Sequence, residues 1–287
     1  MRSVYSFTLK SLFRDLKTYV FLAVMLLAEG AFLTYVNFNN QYSAMEYSLE
    51  FIEIALMLML PLITAELFAA DRESGFEKTL LAFGIPCQNL LLGKLLAALT
   101  VFAVPSLPLL FVPFIFNIFG TVNFAASLAS VFSYILLGVS FVALCVFVSL
   151  TAKKRLYSYI ISYTVLLGIY LLGILAEIVP YTGKFSLLLL TALLICVSAA
   201  IYFFTRSAIL FGGFFCVSEA LLILFYFVIP KHFAGAASKL FDLLSPCSSL
   251  NKIIYGAFDV TAIVHLLLFS AVFMLLSLMQ LKRRKYE

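Results

Sequence analysis

Tryptophan is absent from this 287-residue sequence, and histidine occurs only twice. Charged residues make up only 11% of the chain, whereas 64% of its residues are hydrophobic and the mean hydropathy is +1.12. A soluble protein of this length needs far more polar residues to cover its surface. The scarcity of charge therefore excludes a soluble globular protein and predicts an integral membrane protein with a single membrane domain, residues 1–287.

The motifs of nucleotide, metal and catalytic sites are missing as well. The five cysteines are scattered without the spacing of metal ligands, and neither His232 nor His265 belongs to a ligand motif. The chain has no G-x-x-x-x-G-K-[ST] phosphate loop, because Gly93-Lys94 is followed by Leu95, and no G-x-S-x-G or H-E-x-x-H motif. We therefore expect no enzyme activity, no metal site and no cofactor bound by this chain; an intramembrane enzyme is the weakest alternative.

Eight apolar runs are long enough to cross a membrane as helices, which takes about 20 residues each. The runs are continuous rather than alternating, so we predict an all-α, polytopic helical membrane protein. They lie at 18–36, 51–70, 95–119, 124–150, 157–178, 186–205, 207–229 and 260–281. A six-span alternative would merge or bury the pair at 186–229, but the tight turn around Arg206 favours two separate spans.

The distribution of positive charge predicts the topology. Fifteen of the 19 Lys and Arg residues cluster before the first span, around 72–94, at 153–155, at 206 and at 282–285. Cytoplasmic segments retain Lys and Arg, so we place these clusters inside the cell and the remaining four lysines outside. Eight spans then give a multi-pass protein of the plasma membrane with both termini cytoplasmic. Topology thus accounts for the net charge of +5 without a nucleic-acid partner.

Two segments outside the spans have amphipathic patterns. Residues 1–17 combine an apolar stripe at helical spacing with basic residues on another face, which is typical of a helix lying on the inner membrane surface. The stripe consists of Tyr5, Leu9, Leu12, Phe13 and Leu16. An ordinary basic anchor is the alternative for this segment. The loop at 230–259 contains apolar clusters too short to span, which predicts short helices at the outer interface.

The most compact polar segment is "DRESGFEKTLLAFGIP", residues 71–86. Ser74 and Glu77 have the spacing of a capping box, which predicts the start of a cytoplasmic helix of two to three turns. An apolar stripe follows at Phe76, Leu80 and Phe83. A short helix with an apolar ridge and a charged rim suits a groove on another protein. An interfacial helix facing lipid is the alternative, but the acidic residues oppose it because the inner leaflet is itself negative.

The sequence around this segment resembles a known family. "LFAADRESGFEKTLLAFGIPCQNLLLGKLLAAL" is similar to the stretch after the second span in type-2 permeases of ATP-binding-cassette (ABC) exporters, with Gly75, Leu80-Leu81 and Gly93-Lys94 at the family spacing. Phe76 replaces the family's usual Thr, Lys78 its frequent Glu, and Pro86 lies two residues after the usual Pro. The last 45 residues, "LLSPCSSLNKIIYGAFDVTAIVHLLLFSAVFMLLSLMQLKRRKYE", resemble the ending of the gliding-motility and nitrous-oxide-accessory permeases.

This resemblance implies the membrane subunit of an ATP-driven exporter, whose coupling helix docks on a separate ATPase. The docking residues it implies are Glu73, Gly75, Phe76, Glu77, Leu80 and Phe83. It also implies two ABC ATPase subunits, which hold ATP and Mg, and a second permease subunit, identical or related, in the membrane lipid. A secondary transporter and a non-catalytic membrane scaffold are the alternative functions.

Four glutamates within the predicted spans are candidate intramembrane polar sites. Glu29 and Glu219 are expected near the centres of their spans, Glu53 near the outer end of span two and Glu66 near its inner end. Acidic residues inside a membrane are costly and by default mark functional sites. The alternative is that each one pairs with a polar side chain of another helix or is protonated.

Overall fold

The computed structural model describes residues 1–40, 45–83, 85–119, 123–178, 183–205, 235–255 and 260–286, together with 215, 218–224 and 226. Apart from turns and short links these residues are helical, and they include no strand. The helices are α1 (Arg2–Arg14), α2 (Leu16–Phe32) with a π-helical continuation (Leu33–Asn39), α3 (Glu46–Thr64), α4 (Glu66–Glu73), α5 (Phe76–Ala82), α6 (Cys87–Leu109), α7 (Val112–Phe119), α8 (Phe124–Thr151), α9 (Arg155–Ile178), α10 (Gly183–Thr205), α11 (Ala236–Leu244), α12 (Pro246–Tyr255) and α13 (Val260–Tyr286). The prediction of an all-α protein is confirmed.

Six helical stretches of the described residues are long and apolar enough to cross a membrane. They are Leu16–Asn39, Glu46–Glu73, Cys87–Ile118, Phe124–Thr151, Arg155–Ile178 and Val260–Arg284. Each coincides with a predicted span, so the chain is a multi-pass membrane protein. The predicted span 186–205 lies within α10, and most of the predicted span 207–229 lies outside the described residues.

The chain forms two compact units. Unit 1 comprises Met1–Gly168 and Ser249–Glu287, and unit 2 comprises Ile169–Ser248. In unit 1 the central helix is α8, against which α3, α6 and α13 pack. A Cβ atom at Gly138 of α8 would lie only 2.1 Å from Cζ of Phe102 on α6. Glycine at this position therefore allows α6 and α8 to approach each other closely.

Unit 2 has a small core of its own. Ala176 of α9 is buried together with Ala237 and Phe241 of α11. Partly buried leucines complete this core: Leu172, Leu189, Leu193 and Leu240. The Ser245 hydroxyl, in the link between α11 and α12, donates a hydrogen bond of 3.0 Å to the carbonyl of Ile169. Both short helices fall within the 230–259 loop, where short helices were predicted.

The N-terminal helix α1 forms where the sequence predicts it and packs along α6 of unit 1. A Cβ atom at Gly93 would lie 2.9 Å from Cγ1 of Val4, so this glycine makes room for α1. About two turns further along α6, Oγ1 of Thr100 is 3.1 Å from the hydroxyl of Tyr5. The predicted apolar stripe is therefore turned partly towards protein, because Tyr5 belongs to it and contacts α6.

The ends of several helices of unit 1 meet at one place, which we name the basic end. It is defined by ion pairs and hydrogen bonds of five basic residues: Lys17, Arg72, Lys94, Arg155 and Arg284. These residues come from the starts of α2, α6 and α9 and the ends of α4 and α13. The spans of unit 1 thus run alternately towards and away from the basic end.

Candidate functional site

The predicted coupling segment forms a corner between α4 and α5, which comprises residues 71–83. Gly75 connects the two helices with φ at +76°, in the left-handed region that favours glycine. The backbone N–H of Ser74 donates to the carbonyl of Ala70, and that of Gly75 to the carbonyl of Arg72, both at 3.1 Å. These bonds end α4 in the manner of a glycine C-cap, so Gly75 allows the chain to turn into α5.

The predicted capping box is wrong. The Ser74 hydroxyl donates to the carbonyl of Asp71 at 3.1 Å, so it helps to end α4 rather than to begin α5. The Glu77 carboxylate binds two guanidinium groups instead of a free amide, because charge-assisted bonds of this kind are about twice as strong as neutral ones. The predicted boundary of span two also shifts, since α4 carries the helix as far as Glu73.

Glu77 is the centre of the ion pairs at the corner. It is only 6% exposed, and its carboxylate lies 3.1 Å from Nε of Arg72 and 3.5 Å from Nη1 of Arg284. The Arg72 guanidinium also donates to the carbonyls of Leu150 and Ala152, where α8 ends. An arginine at this place satisfies carbonyls that the helix leaves free and complements the negative end of its dipole. The corner is thereby joined to α8 and α13.

Lys94 joins the same corner to the start of α6. Its ammonium group is buried, binds the Asp71 carboxylate and the carbonyl of Leu67, and lies 4.4 Å from the ring centroid of Phe68. The resemblance marks Gly93-Lys94 only as a family spacing. The structure gives Lys94 a salt bridge, a hydrogen bond and a cation–π contact. A buried lysine needs such partners, because an unpaired ammonium group is expensive to remove from water.

Two further ion pairs lie at the rim of the basic end. Arg155, at the start of α9, places Nε 3.4 Å from Glu73, and both side chains are about half exposed. Lys17 binds the carboxylate of Glu66 and lies 3.2 Å from the hydroxyl of Tyr159. Exposed pairs of this kind contribute little energy one by one. Together, however, they bring α2, α4 and α9 to the basic end.

A serine that the sequence analysis missed closes the break between α3 and α4. The first four N–H groups of any helix lack partners within it. Here the Ser149 hydroxyl of α8 accepts two of them, from Phe68 at 3.0 Å and from Ala69 at 3.2 Å. Its own proton goes to the carbonyl of Ala65 at 2.7 Å, which also accepts from Ser158 at 2.7 Å. Ser149 therefore acts as an N-cap supplied by a neighbouring helix.

The apolar ridge of α5 is divided between a groove and the open surface. Phe76 and Leu80 line an open groove of about 240 Å³ together with residues of α1 and α6. The rings of Phe76 and Phe7 have their centroids 6.3 Å apart. Phe83, by contrast, is 79% exposed. Of the six predicted docking residues, Phe83 therefore offers the most apolar surface to a partner, whereas Glu73 and Glu77 bind within the chain.

The candidate glutamates separate into three places. Glu66 belongs to the basic end through Lys17. Glu29 and Glu53 are buried in the interior of unit 1, where both interact electrostatically with Tyr134. Glu219 lies in unit 2 and is partly buried. The pairing of Glu66 with Lys17 agrees with the alternative that these acids pair with polar side chains of other helices.

Comparison of the chain with protein-family models, curated proteins and solved structures gave no match. The function is therefore argued from the site. Among the described residues, no group of three or more His, Cys, Asp or Glu side chains is placed to hold a metal ion. The basic end holds a corner with an exposed apolar tip, joined by part-buried ion pairs to α6 and α13 and by hydrogen bonds to the end of α8.

Proposed function

We propose that the chain is the membrane-spanning permease subunit of an ATP-driven ABC transporter, working as an exporter. The observation that carries the proposal is the α4–α5 corner. Its exposed apolar tip, Phe83, is suited to a groove on a partner. Three of its charged side chains, Asp71, Arg72 and Glu77, bind helices of the same chain. A surface helix that merely rests on lipid has no need of such internal fixation.

The ion pairs suggest how a movement of the corner is transmitted to the membrane-spanning helices. Glu77 connects α5 to α13 through Arg284 and to α8 through Arg72, while Asp71 connects α4 to α6 through Lys94. These pairs are largely shielded from water, so separating one leaves a poorly solvated charge behind and is unfavourable. A partner that displaces α5 therefore moves the ends of these helices with it.

The proposed assembly has two permease subunits and two ATPase subunits. The ATPases hold ATP and Mg, since this chain has no phosphate loop. The second permease is the same chain or a related one. Each permease has eight spans and lies in the plasma membrane. Both termini and the corner are in the cytoplasm. The basic residues that meet at the basic end support this sidedness, because cytoplasmic segments retain Lys and Arg.

A substitution at Phe83 tests the docking step. We expect Phe83→Asp to insert and fold normally, because the side chain is 79% exposed, but to lower ATPase association at least tenfold, since a charge cannot enter an apolar groove without a penalty. The measurement is purification of the tagged chain from its native membranes, with ATP hydrolysis and peptide mass spectrometry of the eluate.

Leu243→Asp is the matched control, because Leu243 is also an exposed apolar residue, at 68%, and lies in α11, outside the six membrane-spanning stretches. It should retain the ATPase at the wild-type level. The proposal is wrong if no protein with a phosphate loop co-purifies with the wild type, or if Phe83→Asp retains it in full.

A further inference from the structure

The contact between α3 and α8 in unit 1 is polar over one half of its length. On α3 the acidic residues Glu46, Glu50 and Glu53 recur at i, i+4 and i+7, which places them on one face of the helix. Glu46 lies beside Ser130 of α8, and Glu53 interacts with Tyr134 one turn further along. Past this point both helices contribute apolar residues to their buried stripes: Met57 and Leu60 on α3, Leu137 and Phe141 on α8.

Glu29 of α2 lies at the depth where this polar half ends. In the antiparallel α2–α3 pair, Lys17 binds Glu66, and the ring of Phe32 stacks on that of Phe51 at 5.4 Å. Counting along the helices from either contact puts Glu29 level with Ile54, one residue or about 1.5 Å from Glu53. The sequence predicted Glu53 near the outer end of its span and Glu29 near the centre of its own; in the structure the two residues lie at the same level along the helix pair.

Polar atoms at this level lack hydrogen bonds within the described residues. Neither carboxylate oxygen of Glu29 has a partner, and neither does the hydroxyl of Tyr134; the two residues are 3% and 0% exposed. Nearby serine hydroxyls on α6 and α8 donate to carbonyls of their own helices instead: Ser106, Ser130 and Ser133. Buried polar groups without partners are rare in folded proteins and call for an explanation, such as an absent ligand.

The charged groups of the surrounding helices do not neutralise Glu29. Lys17, on the same helix, is twelve residues away at the basic end and binds Glu66. Lys94 of α6 is also at the basic end and binds Asp71. Glu29 and Glu53 both interact electrostatically with Tyr134, so two acidic groups and one phenol meet at this level. An ionised Glu29 carboxylate would therefore carry a negative charge that no hydrogen bond or ion pair offsets within the described residues.

We propose that Glu29, Glu53 and Tyr134 form a binding site for the ammonium group of an amphiphilic amine. The carboxylates supply the opposite charge, and the Tyr134 oxygen accepts an N–H bond. The Tyr134 ring is accompanied by that of Phe102, 6.4 Å away between centroids, and aromatic rings attract cations. Phe102 also lines an apolar cleft of about 210 Å³ between α6 and α8, which suits the alkyl part of the amine.

The acidic face of α3 gives this amine a route. Glu46 and Glu50 continue the negative stripe from Glu53 to the end of α3 that lies away from the basic end. Binding of the amine depends on Glu29, Glu53 and Tyr134, whatever the transport function of the chain. That the amine is the exported substrate rests on the proposed function, in which it would leave along this stripe towards the outer face.

A carbodiimide protection experiment tests the site on the purified full-length chain in lipid nanodiscs, without ATPase or ATP. Dicyclohexylcarbodiimide adds to protonated carboxyl groups in apolar surroundings, and peptide mass spectrometry locates the adduct. We expect Glu29 to be modified, and N,N-dimethylhexylamine to slow its modification at least fivefold, whereas 1-hexanol at the same concentration has no effect. The tertiary amine is chosen because it forms no amide with the activated carboxyl.

Two variants and one control complete the experiment. In Tyr134→Phe, Glu29 should still be modified but the protection by the amine should fall several-fold. The amine should raise the melting temperature of the wild type but not that of Glu29→Gln. Glu177→Gln, which changes an exposed glutamate of α9, should match the wild type in both measurements.

Three results would overturn the proposal. Modification of Glu29 that the amine leaves unchanged would mean that the site holds only a proton. Equal protection by hexanol would mean that the cleft binds alkyl chains without recognising the cation. A lack of modification without amine would mean that Glu29 already has a partner. Because the assay contains no ATPase, each of these results leaves the docking proposal to its own test.

Discussion

Single hydroxyl groups fix the conformation of this membrane protein at places where a helix is interrupted. Ser149 uses both lone pairs and its proton at the α3–α4 break, on Phe68, Ala69 and Ala65. Ser158 contributes one bond, to the carbonyl of Ala65. In an apolar environment no water replaces a lost hydrogen-bond partner. The number of bonds that each serine makes therefore determines how much it contributes to the stability of the protein.

Replacing these serines should therefore have unequal effects. We expect Ser149→Ala to destabilise the protein by about 1–3 kcal/mol, because two buried N–H groups lose their acceptor. Ser158→Ala, the control, should cost less, since the carbonyl of Ala65 still accepts from Ser149. Unfolding by denaturant in mixed micelles measures both. Equal effects of the two substitutions would contradict the capping role of Ser149.

Gly75 matters for its backbone conformation rather than for contacts with other residues. Its φ is +76°, and a Cβ atom there would meet nothing within 4 Å, so only the conformation restricts the residue. Gly75→Ala should destabilise the corner by about 1–2 kcal/mol, the cost of placing an L-residue in the left-handed region. Gly30→Ala is the control, because Gly30 lies in α2, also has open space around it, and should gain helix propensity. The same unfolding assay would refute this account if the two variants behaved alike.

At the scale of helices, continuous apolar runs suffice to locate the spans, but not their ends. Span two was predicted at 51–70, whereas the helical stretch runs over Glu46–Glu73. The difference arises because a hydropathy scale assigns charged residues such as Asp71 to water, whereas in the fold Asp71 forms a salt bridge with Lys94 of α6. The short helix after Gly75 was likewise predictable from its apolar spacing.

The contacts of the candidate site were less predictable than its location. The sequence pattern marks residues 71–83 as a docking segment, and the structure places a short helix there with one strongly exposed phenylalanine. The capping box was wrong because local spacing says nothing of Arg284, which lies 207 residues away from Glu77 in the chain. Partners brought together by tertiary packing leave no periodic signal in one sequence. Neither Ser149 nor Tyr134 could be singled out for the same reason.

At the scale of the whole molecule, the proposed topology makes the two sides of the membrane distinguishable. Lys153 follows α8, Lys239 lies in α11, and both are exposed. Single cysteines at these positions, in a chain without native cysteines, should react with an impermeant maleimide from opposite sides: Lys239→Cys in intact cells, Lys153→Cys only after lysis. Labelling of both positions in intact cells would refute the eight-span topology.

The central claim is that the tip of α5 contacts a separate ATPase, and crosslinking from Phe83 tests it most directly. A photoreactive benzoylphenylalanine would replace Phe83 in cells, with the same substitution at Phe111 as the control. After irradiation of native membranes, the account predicts that position 83 yields one covalent adduct, whose partner peptide belongs to a protein with a phosphate loop, while position 111 does not yield it. Adducts of position 83 with lipid alone, or with a partner that has no nucleotide-binding motif, would contradict the account.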